Sequence, residues 1–134
     1  MNLLNGSILK RMALMPLIIC FLTSAYASEV TITHASWYAK YGDNCDPFPH
    51  ITMANGEKFD ENRLTCASWD YPFGTLLRIT NRTNGKSVEV VVTDRGPSKR
   101  LYKKGRKIDL SKMAFSKLEK LSKGIVAVKV EIIK

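Results

Sequence analysis

The sequence has little that marks the common cofactor-binding folds. It holds no Cys-x-x-Cys pair, no His-Glu-x-x-His run and no glycine pattern of the Walker or dinucleotide-binding kind. Zinc-ribbon, zincin, P-loop and Rossmann readings are thereby removed. Only two histidines, His34 and His50, and three cysteines are present. Acidic side chains are scarce beside basic ones, 12 Asp and Glu against 21 Lys and Arg, so the formal charge is +9. That surplus suits an anionic partner or surface without naming one. No uncharged apolar run reaches the ~20 residues that a spanning helix needs, and neither repeats nor low-complexity tracts occur. What is present, 45% hydrophobic and 25% charged residues in a chain of 134, is the make-up of one globular domain.

The first 27 residues read as a secretory leader. Lys10 and Arg11 precede an uncharged apolar stretch over 12–23, and Ala25-Tyr26-Ala27 supplies a small-x-small cleavage signature. An uncleaved anchor is the alternative, but about a dozen apolar residues are too few to span a bilayer. Cys20 after Leu17-Ile18-Ile19 raises a lipidation reading, against which stands the bulk of Ile19. The expected organisation is a signal peptide over 1–27 and one exported domain over 28–134, with no membrane span after cleavage. Loss of Cys20 leaves Cys45 and Cys66. An even pair in an oxidising compartment reads as a disulfide, and closing a loop of about 20 residues contributes roughly 3 kcal/mol in the chain-entropy account. The rival is a metal site from Cys45, His50 and Cys66, whose irregular spacing lacks the paired ligands of zinc sites. No metal or other cofactor is expected.

Beyond the leader, β-branched and aromatic residues over 29–38 predict a strand. The stretch 40–49, rich in Gly, Asp, Asn and Pro, predicts a loop, and Asn55-Gly56 a tight turn. Strands over 76–81 and 87–93 flank Thr83-Asn84-Gly85-Lys86 as a hairpin. Residues 99–107 read as a basic loop. Ser111 is placed to cap a helix reaching about Leu121, with Ala114, Leu118 and Leu121 on one stripe and Gly124 ending it. A last strand over 125–133 turns Val126, Val128, Val130 and Ile132 to one face. Short strands without a β-α rhythm, in so small a chain, point to a closed β-barrel that hides its edges.

Four segments stand in a distinctive order: Ala35-Ser36-Trp37-Tyr38; Met53-Ala54-Asn55-Gly56-Glu57-Lys58-Phe59-Asp60; Leu64-Thr65 with Tyr71-Pro72-Phe73-Gly74-Thr75; and Thr93-Asp94-Arg95-Gly96-Pro97 leading to Gly105-Arg106-Lys107-Ile108-Asp109-Leu110-Ser111. Together they resemble the rare lipoprotein A (RlpA-like) family, over about 35–130. The resemblance implies a mainly β, six-stranded double-psi β-barrel, here with one short helix near the C-terminus. It also implies a place in the bacterial periplasm, cell envelope or medium, and lytic transglycosylase activity on peptidoglycan glycan strands stripped of stem peptides. Members with that activity use an acid in the Ala-Asn-Gly-Glu segment, a His closing Leu-Thr-Ala-Ala-His, and the Asp of Asp-Arg-Gly-Pro. These positions fall on Glu57, Ser68 and Asp94, so the titratable ring is replaced by a hydroxyl.

Cleaving a glycosidic bond needs a proton on the leaving oxygen and a second group that handles charge. When the sugar's own 6-hydroxyl attacks, one carboxyl can serve first as acid and then as base. Glu57 is the expected acid and Asp94 its electrostatic partner, sharing one groove with Ser68, which can orient but not carry a proton near neutrality. Trp69, Tyr71 and Arg95 are the expected substrate-binding residues, Trp69 beside Asp70 being the aromatic expected to be exposed. Most of the other rings belong in a core. Asp109, just ahead of Ser111, reads as a helix-terminus carboxylate. Six cations among 99–107 read either as a solvated loop or as a surface for anionic envelope polymers. Peptidoglycan strands are thus the expected partner of a monomer, with no nucleic acid. The competing class is an expansin-like or barwin-like module that grips wall polysaccharide without cutting it, which the loss of the family His favours.

Overall fold

The computed structural model describes residues 29–39 and 52–134; the expected leader, Cys20, Cys45 and His50 lie outside the described residues. Six strands form a closed ring: β1 (Val30–Tyr38), β2 (Thr65–Ser68), β3 (Leu76–Asn81), β4 (Ser87–Asp94), β5 (Arg106–Ser111) and β6 (Ile125–Ile132). Around the ring the order is β1-β5-β2-β4-β3-β6 and back to β1. Two neighbour pairs, β1/β5 and β2/β4, run parallel, and the other four are antiparallel. Between β4 and β5 lies α1 (Lys99–Lys103); α2 (Lys112–Ser116) and a 3-10 turn (Leu121–Lys123) follow β5.

Alternation along the strands builds the core. Leu77, Ile79, Val88, Val90, Val92, Ile108, Leu110, Val126, Val128 and Val130 are buried, and Phe115 and Leu118 plug one side. Gly85 takes φ 75 in the β3–β4 hairpin, a left-handed conformation that a glycine adopts without steric cost. Ser111 caps α2 as expected, its hydroxyl accepting from the Ala114 amide at 3.2 Å.

Two expectations about elements are corrected, and two strands were not foreseen. The helix after Ser111 stops at Ser116, because the chain tightens into turns that bury Leu118 before the 3-10 segment. Residues 99–107 are not a loop: they contain α1, a second helix, and the start of β5. Both β2 and β5 escape a period-two reading. β2 is four residues with every side chain buried, and β5 carries Arg106 and Asp109 on a face that looks into a cavity. Among the described residues Cys66 has no disulfide partner; it is wholly buried in β2, and burial pushes the pKa of its thiol up. Its expected partner Cys45 lies outside the described residues. Among the described residues no group of His, Cys, Asp and Glu is arranged to hold a metal ion, and no helix is long and apolar enough to cross a membrane.

Candidate functional site

The barrel registers align five residues in one row across neighbouring strands. Asp94 on β4 pairs with Ala67 on β2, which pairs with Asp109 on β5; Asp109 pairs with Ser36 on β1, and Ser36 with Ile125 on β6. All five line one cavity of about 660 Å³ at a rim of the barrel. Two strand spacings separate the backbones of Asp94 and Asp109, about 10 Å. Between them stands only the methyl of Ala67, and Gly96 approaches it so closely that a Cβ there would sit 3.3 Å from that methyl. Small residues at these two positions keep the cavity floor open between two carboxyl groups.

The two carboxyls have different settings. Asp94 Oδ1 accepts from the Ala54 amide at 2.9 Å and from its neighbour's amide, that of Arg95, at 2.8 Å. Its Oδ2 faces the Tyr38 hydroxyl at 3.4 Å. Tyr38 stacks on Phe59 at 4.6 Å, and burial first, then the charge of Asp94, push its phenol pKa up, so it stays a neutral donor. Asp109 is nearly buried. Desolvation pushes its carboxyl pKa up; the Ser36 hydroxyl, which donates to Oδ1, and Arg106 Nη2 at 3.6 Å pull the other way, and the charge of Asp94 adds to the rise. Asp109 is therefore the group that keeps its proton to higher pH than an ordinary aspartate.

The sequence-predicted residues divide between this cavity and other places. Asp94 and Arg95 line it. Glu57 lies instead in a neighbouring hollow of about 340 Å³ and pairs with Arg63 at 3.7 Å. Its turn is nevertheless docked on the Asp94 segment: Ala54 donates to Asp94, and Asn55 N to Thr93 O at 3.2 Å. Ser68 does not stand beside the carboxyls in a groove. It is 0% exposed, and its Oγ accepts from the Asp70 amide at 3.1 Å, a local turn bond. Tyr71 is likewise inward, packed in the core with its hydroxyl 3.4 Å from Thr31 Oγ1. Arg95 has spent its guanidinium on the Ser68 and Tyr71 carbonyls at 2.7 and 2.9 Å and lies over Phe73. Trp69 is 39% exposed, with Nε1 donating to Pro97 O at 2.6 Å and Lys99 Nζ 3.6 Å above its ring. It is thus tied to Pro97, which lines the cavity, without lining the cavity itself.

Asp109 is the residue that sequence reasoning assigned elsewhere. Taken for a helix-terminus carboxylate, it sits in β5. The signal was the flanking pair Ile108 and Leu110, both buried, which puts the intervening acid on the opposite face of a strand.

Residues 30–130 match the family model described as lytic transglycolase. The chain is 41% identical over 98 residues to the endolytic peptidoglycan transglycosylase RlpA of Rickettsia prowazekii, covering 73% of this chain and 28% of that protein. It is 40% identical over 106 residues to a probable endolytic peptidoglycan transglycosylase RlpA of Treponema pallidum, covering 78% and 30%. The chain thus spans less than a third of the length of these two relatives. Among solved structures, the Streptomyces papain inhibitor superposes with a TM-score of 0.59 at 22% identity, over 79% of this chain and 96% of that one. An expansin of Clavibacter michiganensis gives 0.57 at 23%, over 79% and 51%. At those identities the likeness is one of fold: the closed ring is a double-psi β-barrel.

Proposed function

Since the chain belongs to the lytic transglycolase family of RlpA-like proteins, we propose that it is an endolytic peptidoglycan transglycosylase acting on glycan strands that lack stem peptides. The observation that carries this reading is the row that sets Asp94 and Asp109 on either side of Ala67 in one cavity. Asp109, its pKa raised by burial, gives its proton to the glycosidic oxygen. The C1–O bond breaks, positive charge builds at C1, and Asp94 faces that charge. The 6-hydroxyl of the same sugar attacks C1, and the Asp109 carboxylate takes the hydroxyl proton, which restores the acid and leaves a 1,6-anhydro end. Tyr38 and Ser36 hold the two carboxyls in place. Trp69 offers a flat apolar face for a sugar ring at the cavity edge.

The reading includes export after cleavage behind Ala27, action in the cell envelope as a monomer, and a Cys45–Cys66 disulfide. A second role for Glu57 is favoured by one observation, the docking of its turn on Asp94. The test is digestion of purified, peptide-free sacculi, with anhydro-ended fragments as readout and sacculus pull-down as binding control. Release by the natural protein, and loss of release with retained binding in Asp109→Asn, is the expected result. Undiminished release by Asp109→Asn, with loss in Glu57→Gln, moves the acid to Glu57. Binding without release by the natural protein makes it an expansin-like binding module.

A further inference from the structure

Three cations line the cavity: Arg95, Arg106 and Lys123. They are not equivalent. Arg95 is committed to two backbone carbonyls and the face of Phe73. Lys123 sits on the exposed 3-10 turn at the mouth. Arg106 is mostly buried, yet its guanidinium makes no hydrogen bond among the described residues. Its Nε is buried without an acceptor, and its Nη2 stands 3.6 Å from Asp109, beyond hydrogen-bond length. A guanidinium held only by one long ion pair recovers little of its desolvation cost, and its two terminal amino groups, unlike the buried Nε, keep donors for an incoming anion.

We propose that Arg106 binds the lactyl carboxylate of muramic acid and thereby selects peptide-free strands, an inference that rests on reading the cavity as a peptidoglycan-cleaving site. The chemistry of the substrate fits the placement. In a strand without stem peptides every muramic acid ends its C3 lactyl group in a free carboxylate; in a strand with peptides that carboxyl is an uncharged amide. The lactyl group hangs from the same ring whose C1 is attacked. Arg106 precedes Asp109 by three residues on β5 and faces the same cavity, so anion and reacting bond fall on one sugar. A carboxylate meets the fork with paired, charge-assisted hydrogen bonds, which an amide cannot supply. Selection for naked strands then needs no separate domain; it is built next to the acid.

The experiment uses soluble peptide-free strands, the same strands with their lactyl carboxyls converted to methylamides, and chitin oligosaccharides of equal length. Binding is measured by calorimetry and cleavage by anhydro-end yield, for the natural protein and for Arg106→Gln, Arg106→Lys and Lys123→Gln. The natural protein is expected to bind carboxylate strands about tenfold or more tightly than methylamide or chitin strands, with the difference in KM rather than kcat. Arg106→Gln should erase that ratio, Arg106→Lys should keep part of it, and Lys123→Gln should keep it. Equal binding of carboxylate and methylamide strands by the natural protein overturns the proposal, as does a ratio that survives Arg106→Gln or vanishes in Lys123→Gln. The binding ratio is read whether or not strands are cut. Absence of cleavage with the ratio intact therefore counts against the enzymatic reading alone, and absence of binding to any strand overturns both.

Discussion

At the scale of single residues, Asp109 is where burial, charge and hydrogen bonding meet. Its carboxyl pKa is raised, chiefly by desolvation, so the folded chain holds this proton more tightly than the unfolded chain. The stability it contributes is full below the ordinary carboxyl range and is lost as pH rises through the raised value. Asp109→Asn, which cannot ionise, is expected to melt higher than the natural protein at about pH 7 and to lose that advantage near pH 4, in thermal scans at both. The same variant should cut anhydro-fragment yield by about 10² to 10⁴, the range for a lost general acid. A lower melting temperature at pH 7 would mean that the Arg106 and Ser36 contacts outweigh desolvation. Residues of this kind are the hardest to read from sequence. The place of Asp94 in the cavity was legible because it stands in a recognisable motif, and the exposure of Trp69 because a charged neighbour marked it; Glu57, in a motif just as recognisable, lies in the neighbouring hollow instead. Ser68 and Tyr71 stand in the same motif region but turn inward, a matter of strand facing that composition does not carry.

Among the elements, those with clean alternation were legible almost to the residue. β3 and β6 place Leu77, Ile79, Val126, Val128 and Val130 inward as the pattern demands, whereas Ile132, expected on the same face, is exposed at the end of β6. β2 and β5 were not, because their roles break the period: one is buried on every side, and the other exposes its acid and arginine to a cavity. The cap between β5 and α2 was legible and is open to a direct test. Ser111 Oγ accepts from Ala114 N and donates to Arg63 O at 2.6 Å, tying α2 to the turn before β2. Ser111→Ala should cost about 1–2 kcal/mol, a fall of several degrees in melting temperature for a domain of this size. A shift within error would show that the Arg63 carbonyl finds water instead. The proposed Cys45–Cys66 bond has its own measurement. Because Cys66 is buried, native alkylation says nothing about it; alkylation of the denatured exported protein should leave Cys45 and Cys66 unmodified without reductant and modify both with it. Two adducts without reductant would show a reduced pair.

For the molecule as a whole, ring closure leaves no strand of the six with an open edge, so the described residues, though they bear Val30, Ile32 and Ile125 on the surface, offer no ring strand as a template for strand addition. Its charge is distributed unevenly over that ring. Lys99, Arg100 and Lys103 lie on α1, with Lys104 and Lys107 beyond it, and Asp70 accepts from Tyr102 of α1 at 2.5 Å. With a formal charge of +9 over the chain, this face presents an attractive field to an anionic envelope polymer. Such a field acts over roughly a Debye length, about 10 Å at 0.1 M salt and about 3 Å at 1 M. It should govern capture by the sacculus rather than chemistry in the cavity. The bound fraction in a sacculus pull-down is accordingly expected to fall as salt rises. Lys103→Glu with Lys104→Glu, two exposed positions outside the cavity lining, should lower it at 0.1 M and flatten its salt dependence. The yield from short soluble strands at saturating concentration should stay within about twofold of the natural protein, because saturation removes the capture step. Sacculus binding that is unmoved by salt and by the double substitution would show that α1 is only a solvated face, leaving capture to the cavity alone.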